Sequence, residues 1–268
     1  AAPRIDGLDA APMQVARVGL VGGGTMGQGI CRAMLAAGLP VTLVERAAGA
    51  RARAAGGIAQ ALDASVARGH LGVEAAERQK SLLRPSDRME DLADCDLVLE
   101  AVFEDMAVKT ELFATLDALL KPEAILATNT SYLDIDEMAA ATGRAPQVVG
   151  LHFFSPADRM KLLEVVRGKD SADQTLATAL ALAKRLGKQA VVARVAEGFI
   201  GNRIYAAYRQ QAEVLVEEGA SPAQVDSAAT GFGFAMGPFA VGDMSGLDIA
   251  WAMRKRQAAT RDPALPYV

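Results

Sequence analysis

Cysteine is almost missing from this 268-residue chain, which holds Cys31 and Cys95 and no others. Two isolated cysteines make neither a zinc spacing nor a redox pair. No metal site or disulfide framework is therefore expected, and a reducing compartment is. Both thiols are read as packed or idle. Histidine is equally scarce, with only His70 and His152. A basic excess is lacking too: 28 Lys and Arg against 32 Asp and Glu give a formal charge of −4. Nucleic-acid binding would demand a basic face, so no such partner is expected. Local positive sites for an anionic ligand stay compatible with this balance. Charges interrupt every long apolar stretch before it reaches the length of a membrane span, and no membrane partner is expected. The N-terminal AAPRIDGLDAAP has no apolar core of signal-peptide length. Residues 1–13 are expected to be a linker or tail, and the cytoplasm is the expected location.

What is present is a hydrophobic fraction of 51%, enough for a substantial core. Residues 15–21 (VARVGLV) form a short apolar run ending in glycines, a buried strand. Residues 25–37 suit a helix stopped by Gly38, and Val41 to Glu45 is a β-branched strand. An alanine-rich helix is expected over 48–68 and another helix over 108–120. Further strands are expected over 96–101, 124–128, 148–151, 162–166 and 190–193. Ser171 and Gln174 have the spacing of a capping box before a helix ending at Gly187. Alternation of this kind predicts an α/β fold of Rossmann type: a mostly parallel sheet covered by helices. After about residue 194 strand signals fade. Residues 199–218 read as one helix with Ile200, Ile204, Ala207 and Leu215 on one stripe. The expected organisation is 14–194 as the sheet domain and 195–268 as a smaller all-α domain.

Gly22-Gly23-Gly24-Thr25-Met26-Gly27 fits G-x-G-x-x-G directly after a strand and at the opening of a helix. Gly22 serves the tight turn, Gly24 leaves room for a pyrophosphate, and Gly27 allows close helix–strand packing. Thr25 and Met26 stand in the first turn, where free N–H groups favour phosphate. Glu45 lies at the distance expected of the acid that holds ribose hydroxyls. Its charge would repel a 2′-phosphate, which favours NAD over NADP, although the adjacent Arg46 pulls the other way. No Gly-Lys-Ser/Thr follows, which disfavours a nucleotide-hydrolysing loop.

His70 falls in a turn-like stretch and reads as a surface residue. His152 is expected at the carboxyl end of strand 148–151, the edge where open α/β sheets bind ligands. A histidine beside Phe153 and Phe154 is, taken alone, commonly a packed core residue. Glu164 shares a strand face with Leu162 and Val166 and so needs a partner. His152 would fix that carboxylate and be oriented by it; Arg159 and Arg167 are the competing partners. The residues alone leave both open.

Gly150-Leu151-His152-Phe153-Phe154-Ser155-Pro156, followed by residues 160–166 (MKLLEVV), closely resembles the signature of the L-3-hydroxyacyl-CoA dehydrogenase family. Residues 100–105 (EAVFED), 108–113 (VKTELF), 128–131 (TNTS), 198–203 (GFIGNR) and 236–239 (MGPF) resemble further family segments, in order. The resemblance implies NAD as cofactor and an acyl-CoA thioester as substrate. It makes His152 the base for the 3-hydroxyl proton and Glu164 its orienting carboxylate. It places Ser131 and Asn202 on the reacting oxygen, and Glu104, Lys109, Asn129 and Ser131 near the ribose or nicotinamide. Arg68 would meet the CoA phosphates. Simpler readings stand beside these: Asn129 and Ser131 closing a turn, Lys109 solvated on a helix, Asn202 capping one.

The chain also departs from the family pattern. Ser155 replaces the usual Asn, Thr128 replaces a serine, and relatives continue past the length of this chain. Residues 246–251 (GLDIAW) with Arg254-Lys255-Arg256 resemble the multifunctional β-oxidation enzymes, in which a hydratase precedes the dehydrogenase. That implies a fragment of, or fusion to, an enoyl-CoA hydratase neighbour, and a homodimer formed through the helical domain. The alternatives kept are an NADPH-preferring 3-hydroxybutyryl-CoA dehydrogenase, a sugar-acid dehydrogenase that uses no CoA, and a non-catalytic crystallin-like relative.

Overall fold

In the computed structural model, residues 8–245, 251, 254, 255 and 258 are described. The chain divides into two compact units, Ala1–Phe199 and Ile200–Val268.

The first unit opens with β1 (Val18–Val21), every residue buried. It passes through the glycine turn into α1 (Thr25–Ala36), which ends at Ala37 with Gly38 in the left-handed region at φ 71°. Then come β2 (Val41–Val44), α2 (Ala48–Ala67), α3 (Val73–Ser81) and β3 (Leu83–Ser86). β4 (Leu97–Glu100) leads to α4 (Met106–Leu119), whose first turn is capped by the Asp105 carboxylate accepting from the Val108 N–H at 3.0 Å. β5 (Ile125–Thr128), α5 (Ile135–Ala140), β6 (Val148–Phe153), β7 (Leu162–Arg167), α6 (Asp173–Arg185) and β8 (Gln189–Arg194) complete it.

Among the described residues eight strands form one sheet in the order β3-β2-β1-β4-β5-β6-β7-β8. All pairs are parallel except β6–β7. The order reverses between β1 and β4, which opens a crevice at their carboxyl ends. Strand alternation splits the core between the two faces. Leu20, Leu97, Leu99, Leu151 and Phe153 pack on one with α1; Val98, Leu126, Val148 and Val166 pack on the other with Phe113 and Leu116 of α4. Glu100 and His152 follow the second alternation, so both fall on the α4 side at the ligand edge.

Two elements were not foreseen, and three expectations need correction. α3 and β3 give little sequence signal: α3 buries only Ala76, and β3 is Leu-Arg-Pro-Ser at the sheet edge, where Pro85 lacks a donor at no cost. The strand expected to end at Leu151 runs on to Phe153, because β7 pairs with it through Leu163. Ser171 and Gln174 form no capping box. The helix starts later, after Ala172, and the Ser171 hydroxyl instead donates to Val148 O at 2.6 Å and accepts from Gly168 N–H at 2.9 Å. Of the expected tail, residues 8–13 are tied down: Leu8 and Met13 pack on the core, and Met13 N–H donates to the Thr178 hydroxyl at 2.9 Å. Residues 1–7 lie outside the described residues.

In the second unit α7 (Gly201–Glu217) precedes α8 (Pro222–Phe232), whose Ser221–Gln224 capping box is complete and whose end is marked by left-handed Gly233. α9 (Pro238–Ser245) follows. The apolar stripe of α7 is open: Ile204 is 67% exposed and Leu215 47%. Of the segment 246–256, only Trp251, Arg254 and Lys255 are among the described residues, so the family likeness read there lies largely outside them.

Candidate active site

The glycine turn has the geometry its sequence requires. Gly22 sits at φ 103° against the Ala101 carbonyl, a conformation that disfavours any side chain. A Cβ on Gly27 would lie 2.0 Å from Gly22 O, while one on Gly24 would meet nothing within 4 Å. Space is therefore open over Gly24, above a helix start that carries neither a side-chain cap nor an acidic residue in its first turn. Thr25 and Met26 lie in that turn. Glu45 stands across from it and accepts from Gly23 N–H at 3.1 Å. A cavity of about 240 Å³ opens beside it, lined by Val44, Glu45, Arg46, Val102, Val108 and others. Turn, open space, acid and apolar cleft fit a dinucleotide.

His152 and Glu164 are register partners across the antiparallel β6–β7 pair. Both are buried, at 4% and 1% side-chain exposure, and His152 Nδ1 lies 2.7 Å from Glu164 Oε2. The competing arginines are otherwise placed: Arg167 binds Asp173 at 2.7 Å and Arg159 is exposed on the loop after β6. An ionised carboxylate only accepts, so Nδ1 carries the proton in this pair, and in the neutral ring Nε2 is the acceptor. Nε2 lies 3.1 Å from Ser131 Oγ. The imidazole is fixed by packing as well, with its centroid 4.5 Å from the Phe154 ring and 5.7 Å from the Phe199 ring. Phe199 is buried and holds a left-handed φ of 44°, strained for a side chain of that size.

The loop after β5 is held from beneath. Glu104 Oε1 accepts from the Thr130 hydroxyl at 2.6 Å and from Ser131 N–H at 2.8 Å. Asn129 Oδ1 accepts from Phe153 N–H at 2.9 Å, so Asn129 ties this loop to β6 rather than only closing a turn. Lys109 is not solvated. At 1% exposure it binds Glu100 and, at 3.3 Å, Glu104. α2 ends at Arg68, its exposed C-cap, before Gly69 in the left-handed region at φ 71°. There, with Arg32, His70 and Arg159, it lines a second groove of about 440 Å³. Asn202 stands in the first turn of α7 in the second unit; Ile200, not Asn202, is the N-cap.

The sequence reading missed Glu100, Thr130 and Phe199. An acid closing the apolar run 97–100 was the signal for the first; the other two gave none outside the motif segments. The two cysteines are inert. Burial pushes the Cys31 thiol up to about 12 and the Cys95 thiol to about 11, far from the thiolate needed for chemistry. Among the described residues no group of three or more His, Cys, Asp or Glu could hold a metal ion, and no helix is long and apolar enough to cross a membrane.

Comparison with known proteins gives the family. The family described as "3-hydroxyacyl-CoA dehydrogenase, NAD binding domain" matches residues 17–196, and "3-hydroxyacyl-CoA dehydrogenase, C-terminal domain" matches residues 198–267. A peroxisomal bifunctional enzyme of Cavia porcellus is 47% identical over 255 residues, covering 94% of this chain and 34% of that protein. The chain thus spans about a third of the length of such relatives. The structure of (S)-3-hydroxybutyryl-CoA dehydrogenase PaaH1 from Ralstonia eutropha superposes with a TM-score of 0.88 at 34% identity, covering 93% of this chain and 89% of that one. The dehydrogenase part of multifunctional enzyme 1 from C. elegans gives 0.69 at 31% identity, covering 95% and 59%. The chain carries an NAD-binding domain, and with both family segments matched in order it belongs to the 3-hydroxyacyl-CoA dehydrogenase family.

Proposed function

We propose that the chain catalyses the NAD-dependent oxidation of (S)-3-hydroxyacyl-CoA to 3-oxoacyl-CoA in fatty-acid β-oxidation, with His152 as general base. The observation that carries this reading is the line from buried Glu164 and His152 to half-buried Ser131 at the ligand edge of the sheet. Nε2, the unprotonated nitrogen, faces the side where the 3-hydroxyl would sit beside Ser131. It takes the hydroxyl proton, and the Glu164 carboxylate stabilises the imidazolium that forms. Ser131 and Asn202 are assigned to the reacting oxygen and thioester, and Arg68 in its basic groove to the CoA phosphates. Glu45, Glu104, Lys109 and Asn129 are assigned to the cofactor. Bound NAD supplies the hydride acceptor. The protein's part is orientation: a rigid sheet edge holds the base while the substrate is positioned against it.

Glu45 on the glycine turn favours NAD over a 2′-phosphorylated cofactor. Residues 14–194 are assigned to cofactor binding and 195–268 to substrate and dimer contacts; the second unit exposes the apolar residues Ile204, Leu215, Phe232 and Met244. Association with an enoyl-CoA hydratase domain suits the names of the bifunctional and multifunctional relatives. Two buried free thiols suit the reducing cytoplasm, whereas those relatives are named peroxisomal.

The test is NADH oxidation with acetoacetyl-CoA, run beside His152→Ala and with NADPH as comparator. Turnover that needs NADH and falls at least about a hundredfold in the variant supports the reading. Bound NADH without turnover, or equal turnover in the variant, refutes it.

A further inference from the structure

Glu100 ends β4, with Val21 of β1 and Thr128 of β5 as its register partners. It therefore stands where the strand order reverses, and it is 0% exposed. An ionised carboxylate survives in such a place only when its lone pairs are filled. Oε1 accepts from Lys109 Nζ at 2.7 Å and from the Thr128 hydroxyl; Oε2 accepts from Lys109 Nζ at 2.8 Å and from Val102 N–H at 3.0 Å. The remaining reach of the ammonium goes to Glu104 Oε2 at 3.3 Å.

A buried ion pair is a poor stabiliser, since apolar residues of like volume serve a core as well. Its placement explains more than its energy does. Glu104 divides its two oxygens, Oε2 toward Lys109 and Oε1 toward Thr130 and the Ser131 amide. Ser131 Oγ then meets His152 Nε2 at 3.1 Å. The contacts from Glu100 through Lys109, Glu104 and Ser131 to His152 are unbroken.

We infer that Glu100 is a positioning residue: by sharing the Lys109 ammonium with Glu104, it sets where Glu104 holds the Ser131 backbone and so where Ser131 meets His152. The inference rests on the functional reading above for the meaning of the Ser131–His152 contact. Two carboxylates compete for one ammonium. Without the Glu100 charge the ammonium turns wholly to Glu104 and draws that carboxylate off the Ser131 amide. The consequence is a misplaced hydroxyl at the reacting centre, which costs turnover more than cofactor affinity.

Glu100→Gln keeps the size and, through its one amide oxygen, the acceptor for Val102 N–H, turns its NH2 toward the Thr128 hydroxyl, which can accept, and removes the charge. With acetoacetyl-CoA and NADH, kcat should fall about tenfold, while the NADH Kd from fluorescence titration changes by a smaller factor. The His152 ring ¹⁵N resonances should shift. Glu100→Gln/Lys109→Met should be no slower than Lys109→Met alone, because both changes cut one link. Unchanged kcat in Glu100→Gln, or losses that add in the double variant, would overturn the inference. If Glu100→Gln does not fold, the double variant, freed of a buried uncompensated ammonium, carries the comparison. Failure of the double variant to fold as well makes Glu100 purely structural and overturns it too. A wild-type protein without turnover sinks the functional reading instead, and the ring shift in Glu100→Gln, present or absent, then decides this inference.

Discussion

His152 and Glu164 face each other as register partners on β6 and β7, with Nδ1 2.7 Å from Oε2. The antiparallel pair fixes the two backbone positions opposite each other, and burial holds the side chains in contact. Glu164 therefore fixes the tautomer. Glu164→Gln should invert it, since an amide can donate to Nδ1 and leave Nε2 protonated. We expect kcat to fall about 10²- to 10⁴-fold with little change in fold, by analogy with the carboxylate-to-amide change Asp→Asn in a protease triad. Steady-state kinetics beside circular dichroism check this, and a loss under about tenfold would argue against the assigned tautomer.

Cofactor choice turns on Glu45, whose carboxylate accepts from Gly23 N–H at the floor of the glycine turn. Glu45→Ala removes both the ribose acceptor and the repulsion toward a 2′-phosphate, leaving Arg46 beside the site. NADH affinity should drop about tenfold, the worth of one charge-assisted hydrogen bond, and NADPH affinity should rise. Fluorescence titration with each dinucleotide measures the ratio; an unchanged ratio removes Glu45 from the site.

Gly27→Ala places a Cβ about where Gly22 O already sits, 2.0 Å away, and that oxygen is backbone and cannot swing aside. We expect a destabilisation of about 1–3 kcal/mol from overpacking together with loss of NADH binding. Gly24→Ala, with nothing within 4 Å in the free protein, should leave the melting temperature unchanged and still weaken NADH. Thermal melts and titration of the two variants separate the structural glycine from the ligand-facing one.

Acid stability should depend on Asp96. Burial raises its pKa, but donation from Lys121 and from the Arg17 and Ala16 N–H groups outweighs this and holds it below the ordinary carboxylate value. A group depressed in the folded state stabilises fully above its unfolded pKa, about 3.9, and loses that contribution as pH falls through the folded value. Asp96→Asn should thus cost about 1–3 kcal/mol near neutral pH. The gap to wild type should close progressively below about pH 4. Urea melts across that range test the sign; a gap that widens in acid would contradict it.

Much of this molecule could be read locally. The glycine fingerprint, Glu45, and the alternation of strand and helix are short-range patterns, each set by backbone geometry within a few residues. His152, Glu164, Glu104, Lys109, Asn129 and Ser131 were legible as motif members, and the structure gathers these six at one sheet edge. Arg68 lies at the α2 C-cap, and Asn202 belongs to the first turn of α7 in the second unit. The capping box at Ser171 shows the opposite case. Its sequence spacing was right, but the hydroxyl was claimed by Val148 O across the fold.

The sequence by itself determined the layered α/β architecture and the dinucleotide turn, because periodicity and glycine placement act over a few residues. Only the tertiary structure decided that Glu164 pairs with His152 rather than an arginine, that Lys109 is buried between two carboxylates, and that Glu100 lies under the Ser131 loop. Those choices depend on strand order and antiparallel register. Both are set by contacts between residues far apart in the chain, where one shift of register would send His152 to the other face of the sheet.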